Sequence, residues 1–152
     1  MKIYFAGSIR GGRDEEENYL KIIKHLAKYG DVLTEHVGLK DIEENEQNNS
    51  DSYIFERDVS WLKSANMMIA DVTVPSLGVG YEIGFAETLN IPILCLYNPR
   101  NKKSLSAMIS GNNNLIWKEY NTVEEAKLLI DTPVVNLIPF NLFFLITLIH
   151  YL

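Results

Sequence analysis

Short apolar runs that read as buried strands alternate with helical periodicities along the 152-residue chain, and two glycine-rich loops follow two of those runs about sixty residues apart. With five strand-like runs, the pattern predicts an α/β fold. We expect a doubly wound five-stranded parallel sheet, flavodoxin-like or Rossmann-like, with strand order 2-1-3-4-5 and right-handed crossovers. At 47% hydrophobic residues the chain is long enough for one compact core and short for two.

The first strand is "KIYFA", residues 2–6, running into the loop "GSIRGGR", residues 7–13. A helix follows, because Tyr19, Ile22, Ile23 and Leu26 recur at spacings of three and four. Acidic residues 14–17 suit its positive end and Gly30 supplies a stop. "DVLTEHV", residues 31–37, reads as the second strand and "DIEENEQNNSDS", residues 41–52, as an exposed loop. A helix over residues 53–65, capped by Asp51 or Ser52, leads to the strand "MMIADV". Next come the loop "TVPSLGVG", a helix carrying Glu82, and the strand "IPILCLY". The polar segment "KKSLSAMISG", a strand "LIWKEY" and a helix "TVEEAKLLI" follow. From Thr132 the sequence turns apolar. We therefore expect a catalytic-type domain over 1–131 and an atypical apolar tail over 132–152.

Several function classes are excluded at this level. A formal net charge of -6 argues against a general nucleic-acid surface, which needs clustered Lys and Arg. Cys95 is the only cysteine and lies in an apolar strand, so it reads as a core thiol. That fits a reducing compartment, the cytoplasm and also the nucleus. "MKIYFAGS" turns polar too soon for a secretory signal. The tail is interrupted by Asn136, Pro139, Asn141 and His150, so its clean apolar run falls short of the ~18 to 20 residues that span a bilayer. His25, His36 and His150 show no metal-ligand spacing, and no GxSxG elbow is present.

In the order 2-1-3-4-5 the ligand crevice opens between strands 1 and 3, so the two glycine-rich loops should face each other. Gly7, Gly11 and Gly12 permit close approach, while Ser8, Arg10 and Arg13 add donors suited to a phosphate or sugar hydroxyls. A tight turn with solvated arginines is the alternative. Glu82, near the start of its helix, should feel the positive dipole end and stay ionised. It shares a helical stripe with Phe85, Ala86 and Leu89, so it should face the crevice as a candidate nucleophile. A carboxylate that merely favours a helix start is the competing reading. Asp58 falls in the middle of the apolar face built by Ile54, Phe55, Trp61 and Leu62. Burial there should raise its pKa and let it work as an acid beside an ionised Glu82. Retaining glycoside cleavage uses two such carboxyls at ~5 to 5.5 Å; a structural Asp capping a neighbouring loop remains the alternative. His36 should border the pocket from the end of strand 2, and the Tyr4 hydroxyl should emerge beneath the ligand.

The blocks "YFAGSIRGGR", "VLTEHV", "FERDVSWLKSAN", "DVTVPSLGVGYEIGFA" and "KSLSAMISG" closely resemble the 2'-deoxynucleoside 5'-phosphate N-hydrolases, relatives of the nucleoside 2-deoxyribosyltransferases. The resemblance covers about residues 3–130. It implies hydrolysis of the N-glycosidic bond of a deoxynucleoside 5'-monophosphate, without a cofactor, to free base and 2-deoxyribose 5-phosphate. Glu82 then matches the nucleophile that forms a covalent glycosyl-enzyme, Asp58 the acid that assists attack and leaving, and Tyr4 the tyrosine near the sugar. Ser8, Ile9 and Arg10 with the adjoining glycines match the loop around phosphate and sugar, and Ser76 and Gly78 the same pocket. Ser106, Ala107 and Met108 match the segment that completes the site of a neighbouring subunit, which implies a homodimer. A deoxyribosyltransferase and a non-catalytic nucleotide-binding module are the alternatives. The tail from Thr132 departs from the family pattern.

Overall fold

The sheet follows the apolar runs. In the computed structural model, which describes residues 1–10, 12, 15–39, 42, 47–101 and 104–137, five parallel strands pair in the order β2-β1-β3-β4-β5. These are β1 (Lys2–Ala6), β2 (Asp31–Val32), β3 (Met67–Asp71), β4 (Ile93–Tyr97) and β5 (Ile116–Glu119). Tyr4 lies opposite Met68, and Met68 opposite Ile93, so the three central strands are in close register. The predicted fold class and strand order are both present.

Alternation of side chains along each strand divides the core in two. Ile3, Phe5, Ile69 and Leu94 pack on one face with Tyr19, Ile22 and Leu26 of α1 (Glu16–Leu26) and Ala126 and Ile130 of α5 (Val123–Leu137). Tyr4, Ala6, Met68 and Cys95 pack on the other. There they meet Leu62 of α2 (Asp51–Ser64), Val79, Ile83 and Ala86 of α3 (Leu77–Thr88), and Ile109 of α4 (Ala107–Ser110). Period two along β1 thus sends Tyr4 toward α2 and α3, and this places it at the site.

Four boundaries differ from the sequence reading. Ser50 caps α2 by accepting from the Tyr53 backbone N–H, so the helix starts at Asp51 and takes in both residues expected as caps. β2 is two residues long because the Thr34 hydroxyl takes over the pairing with β1, accepting from Phe5 N at 2.9 Å and donating to Phe5 O at 2.7 Å. The chain then turns into a 3₁₀ helix, Glu35–Gly38. α1 ends at Leu26 with Ala27 as its cap, well before Gly30. Gly30 serves a close approach instead: a Cβ there would lie 1.9 Å from the Met1 carbonyl oxygen. α5 runs on to Leu137, past the Thr132 break; the rest of the expected apolar tail, from residue 138, lies outside the described residues. Among the described residues no helix is long and apolar enough to cross a membrane.

Candidate active site

A cavity of about 520 Å³ opens beyond the carboxyl ends of β1 and β3. Gly7, Ile9 and Arg10 line it from the loop after β1, and Pro75, Ser76 and Gly78 from the loop after β3 and the start of α3. Ile54, Arg57 and Asp58 face it from α2, and Val79 and Glu82 from α3. The two glycine-containing loops therefore face each other, as the strand order requires. A smaller cavity of about 310 Å³ adjoins it, sharing Arg10, Asp58 and Glu82 and walled by Phe55, Val59 and Tyr81.

The residues expected to be catalytic come from three elements. Tyr4 is 1% exposed on β1, and its hydroxyl donates to Glu82 Oε1 at 2.7 Å. Burial first, then the charges of Glu82 and Asp58, push the phenol well above its ordinary pKa, so it is a fixed donor. Burial likewise pushes the Glu82 carboxyl up to about 7; the Tyr4 hydrogen bond opposes this and the Asp58 charge adds to it. The expectation of a dipole-stabilised, fully ionised Glu82 is corrected here. Ser76 caps the helix and Glu82 lies beyond the first turn, where the macrodipole has faded and desolvation outweighs it.

Burial was expected to fall on Asp58, and its environment differs too. Its side chain keeps 24% exposure and accepts from Arg57 Nε at 2.8 Å in an ion pair. Phe55, expected beside it on an apolar face, is 53% exposed, and only Leu62 of α2 is fully buried. The helix meets the sheet along a narrower stripe than its sequence suggested.

The other expected residues divide. Gly7, Ile9, Arg10, Ser76 and Gly78 reach the cavity. Ser8 is fully buried off the cavity wall, its backbone N–H donating to the Tyr19 hydroxyl at 3.3 Å and its own hydroxyl unpartnered among the described residues. Gly12 has φ 128°, a left-handed value that favours glycine, and is absent from the wall, while Gly11 and Arg13 lie outside the described residues. His36 is absent from the cavity wall, and Arg57, whose Nη2 donates to its Nε2 at 3.3 Å, links it to the site. Ser106, Ala107 and Met108 stand exposed at α4, Met108 at 81%, away from this chain's own cavity. Ser106 Oγ accepts from Met108 N and caps that short helix.

Two residues passed over in the sequence carry part of the arrangement. Arg57 lies at the cavity, its guanidinium 4.8 Å from the Trp61 ring centroid and 5.9 Å from that of Tyr53. Its signal was the spacing of Tyr53, Arg57 and Trp61 by four, which puts all three on one helical face. Asp71 closes β3 fully buried, accepting from Tyr120 Oη at 2.7 Å and Thr73 N at 3.0 Å. Thr73 Oγ in turn accepts from Asn98 N at 2.9 Å, so the network fixes the start of the loop that carries Ser76. An acid ending an otherwise apolar strand was the available hint. Among the described residues no group of three or more His, Cys, Asp or Glu is placed to hold a metal ion.

Fold and site together define a doubly wound α/β protein with paired carboxyls at its topological switch point. The family model for nucleoside 2-deoxyribosyltransferase matches residues 3–130, and the chain belongs to that family. It is 50% identical over 111 residues to 5-hydroxymethyl-dUMP N-hydrolase of Mus musculus, covering 72% of this chain and 64% of the mouse protein. To the Danio rerio protein of the same name it is 51% identical over 112 residues, covering 73% and 78% respectively. Among solved structures, the Clostridium botulinum CMP N-glycosidase BcmB superposes with TM-score 0.60 at 21% identity, over 86% of this chain and 99% of the other, a likeness of fold.

Proposed function

We propose that this protein hydrolyses the N-glycosidic bond of 2'-deoxynucleoside 5'-monophosphates, releasing free base and 2-deoxyribose 5-phosphate. The observation that carries the reading is the meeting of Glu82 and Asp58 at one cavity, with Tyr4 hydrogen-bonded to Glu82 from behind the wall and Arg10 and Ser76 on the rim. Glu82 attacks C1' as the C1'–N bond breaks, and the base leaves with that electron pair and takes a proton. Water then gives its hydroxyl to C1' and a proton to Asp58, freeing Glu82; the proton Asp58 returns to solvent balances the one the base removed. Arg10 and Ser76, with Gly7, suit the 5'-phosphate, and the apolar wall of the adjoining cavity suits the base. Relatives named as deoxynucleotide N-hydrolases favour hydrolysis over base exchange. The exposed Ser106, Ala107 and Met108 are taken to complete the cavity of a second copy in a homodimer. The buried free thiol of Cys95 accords with a reducing cytoplasmic or nuclear setting.

The test is a product assay. Purified protein is incubated with each deoxynucleoside monophosphate, with the matching ribonucleotides, and with deoxynucleosides plus a second base, and free base is followed by chromatography. Base release from deoxynucleotides alone is expected. Exchange without hydrolysis would make it a transferase. Ligand-dependent thermal stabilisation with no base released would make it a binding module.

A further inference from the structure

We infer that Arg57 is a positioning residue for the reaction: clamped between the rings of Tyr53 and Trp61 and donating to His36, it aims the Asp58 carboxylate at the cavity and offsets its charge beside Glu82. The inference rests on the reading given under Proposed function for the roles of those two acids.

Consecutive residues on a helix point about 100° apart and do not ordinarily meet. Arg57 and Asp58 nevertheless form an ion pair with Nε 2.8 Å from Oδ1. That requires the arginine stem to curl back along the helix, and its surroundings impose the bend. Trp61 and Tyr53 lie one turn to either side, with ring centroids 4.8 Å and 5.9 Å from the guanidinium carbon. Nη2 is drawn to His36 Nε2 at 3.3 Å. Arginine has donors only, so in this contact the His36 Nε2 is the acceptor. His36 is itself packed on Trp61, ring centroids 5.4 Å apart, so the latch joins the segment after β2 to α2. The Arg57 side chain is 14% exposed, which limits solvent competition for its charge.

The consequence falls on Glu82. Among the described residues, the charged and titratable groups around it are Tyr4 from β1, Asp58 and Arg57 from α2, Arg10 from the loop after β1, and Tyr81 beside it on α3. Arg10 is turned outward in a surface pair with Asp51. Asp58 disfavours the ionised Glu82, and Arg57 is a cation held directly against Asp58. Without it, the field at Glu82 turns more negative, which would keep Glu82 protonated to higher pH and withhold the nucleophile.

The test titrates the Glu82 carboxyl by carbon-13 NMR in the full chain, its signal assigned by its loss in Glu82→Gln. It is run beside pH profiles of kcat/KM with deoxynucleoside monophosphates. Arg57→Met is expected to raise the Glu82 midpoint by about one pH unit and lower kcat at least about tenfold, with KM little changed. Arg57→Gln, neutral but still a donor to Asp58, should move the midpoint the same way and serves if the methionine variant does not fold. Arg57→Lys should restore the midpoint better than it restores kcat, since an ammonium lacks the fixed Nε–H. In an Asp58→Asn background the arginine substitution should still move the Glu82 midpoint, because charges act additively, but should lower kcat at its pH plateau little further. An unmoved midpoint in the neutral variants overturns the inference, as does an undiminished fall in plateau kcat in the Asp58→Asn background, which would mean that Arg57 does not act through Asp58. Absence of base release by the parent protein would count against the proposed function, and the NMR titration would still decide the role of Arg57.

Discussion

The hydroxyl of Tyr4, in the middle of β1, donates to Oε1 of Glu82, on α3, across 2.7 Å. This bond stabilises the charged carboxylate against the burial that pushes its pKa up to about 7. In Tyr4→Phe that help is gone, and Glu82 should ionise only at higher pH. A hydrogen bond to a charged group is worth ~1.5 to 3 kcal/mol, and one pH unit corresponds to ~1.4 kcal/mol. The acid limb of kcat/KM should therefore move up by about one unit or more. A pH profile from 5 to 9, run beside the parent protein, measures it; an unmoved limb would separate Tyr4 from the ionisation of Glu82.

Asp58→Asn should move the same limb the other way. Removing the negative charge that adds to the Glu82 shift makes that carboxyl easier to ionise, so the limb falls to lower pH. Turnover should nonetheless drop, by roughly 10²- to 10⁴-fold, because the group that accepts the water's proton is lost. Opposite displacements in two variants of neighbouring residues are hard to produce by general loosening of the site. Displacements of the same sign would contradict the assigned roles.

Folding stability should carry the signature of the same carboxyl. Glu82 titrates at about 7 in the folded chain against an ordinary 4.5, and Asp71 at about 6 against 3.8, both raised chiefly by burial. A raised carboxyl contributes stability that is whole below its unfolded value and is lost as pH rises through the folded one. Urea unfolding should then show stability falling between about pH 4 and pH 7. Glu82→Gln removes its share, on the order of 2 to 3 kcal/mol, and should gain on the parent above pH 7 while matching it near pH 4. Its remaining decline, ending near pH 6, would belong to Asp71. Parallel curves for parent and variant would refute the buried-acid assignment.

The sheet was readable because each strand is a short apolar run bounded by loop residues, and the switch point follows from strand order alone. Tyr4, Asp58 and Glu82 could be nominated from that geometry and from periodicity. Their electrostatics could not. Whether burial or dipole governs Glu82 depends on how deep α3 seats it, and the charge environment of Asp58 depends on the bend of the Arg57 stem. Both are tertiary facts. The short β2 was hidden for a similar reason: "DVLTEHV" has the composition of a strand, and only the contact of the Thr34 side chain with the Phe5 backbone shows where pairing stops. The role of Gly30 was misread as a helix stop because a close approach to Met1, distant in sequence, leaves no local trace.

That last contact gives a prediction about stability with no part for catalysis. The Asp31 N–H donates to Met1 O at 2.8 Å where β2 joins the sheet, and a Cβ on Gly30 would lie 1.9 Å from that same oxygen. The obstacle is backbone, so no rotamer change relieves it. Gly30→Ala must either push β2 off the edge of β1 or displace the N-terminus, and overpacking of this kind costs ~1 to 3 kcal/mol or more. A lower urea midpoint is expected, with faster hydrogen exchange at Asp31 and Leu33, whose amides bond to Met1 and Ile3 across that edge. KM for the nucleotide should hold near the parent value, because the cavity is built from the far ends of β1 and β3. If Gly30→Ala is as stable as the parent, the edge strand is free to shift and Gly30 has no steric role.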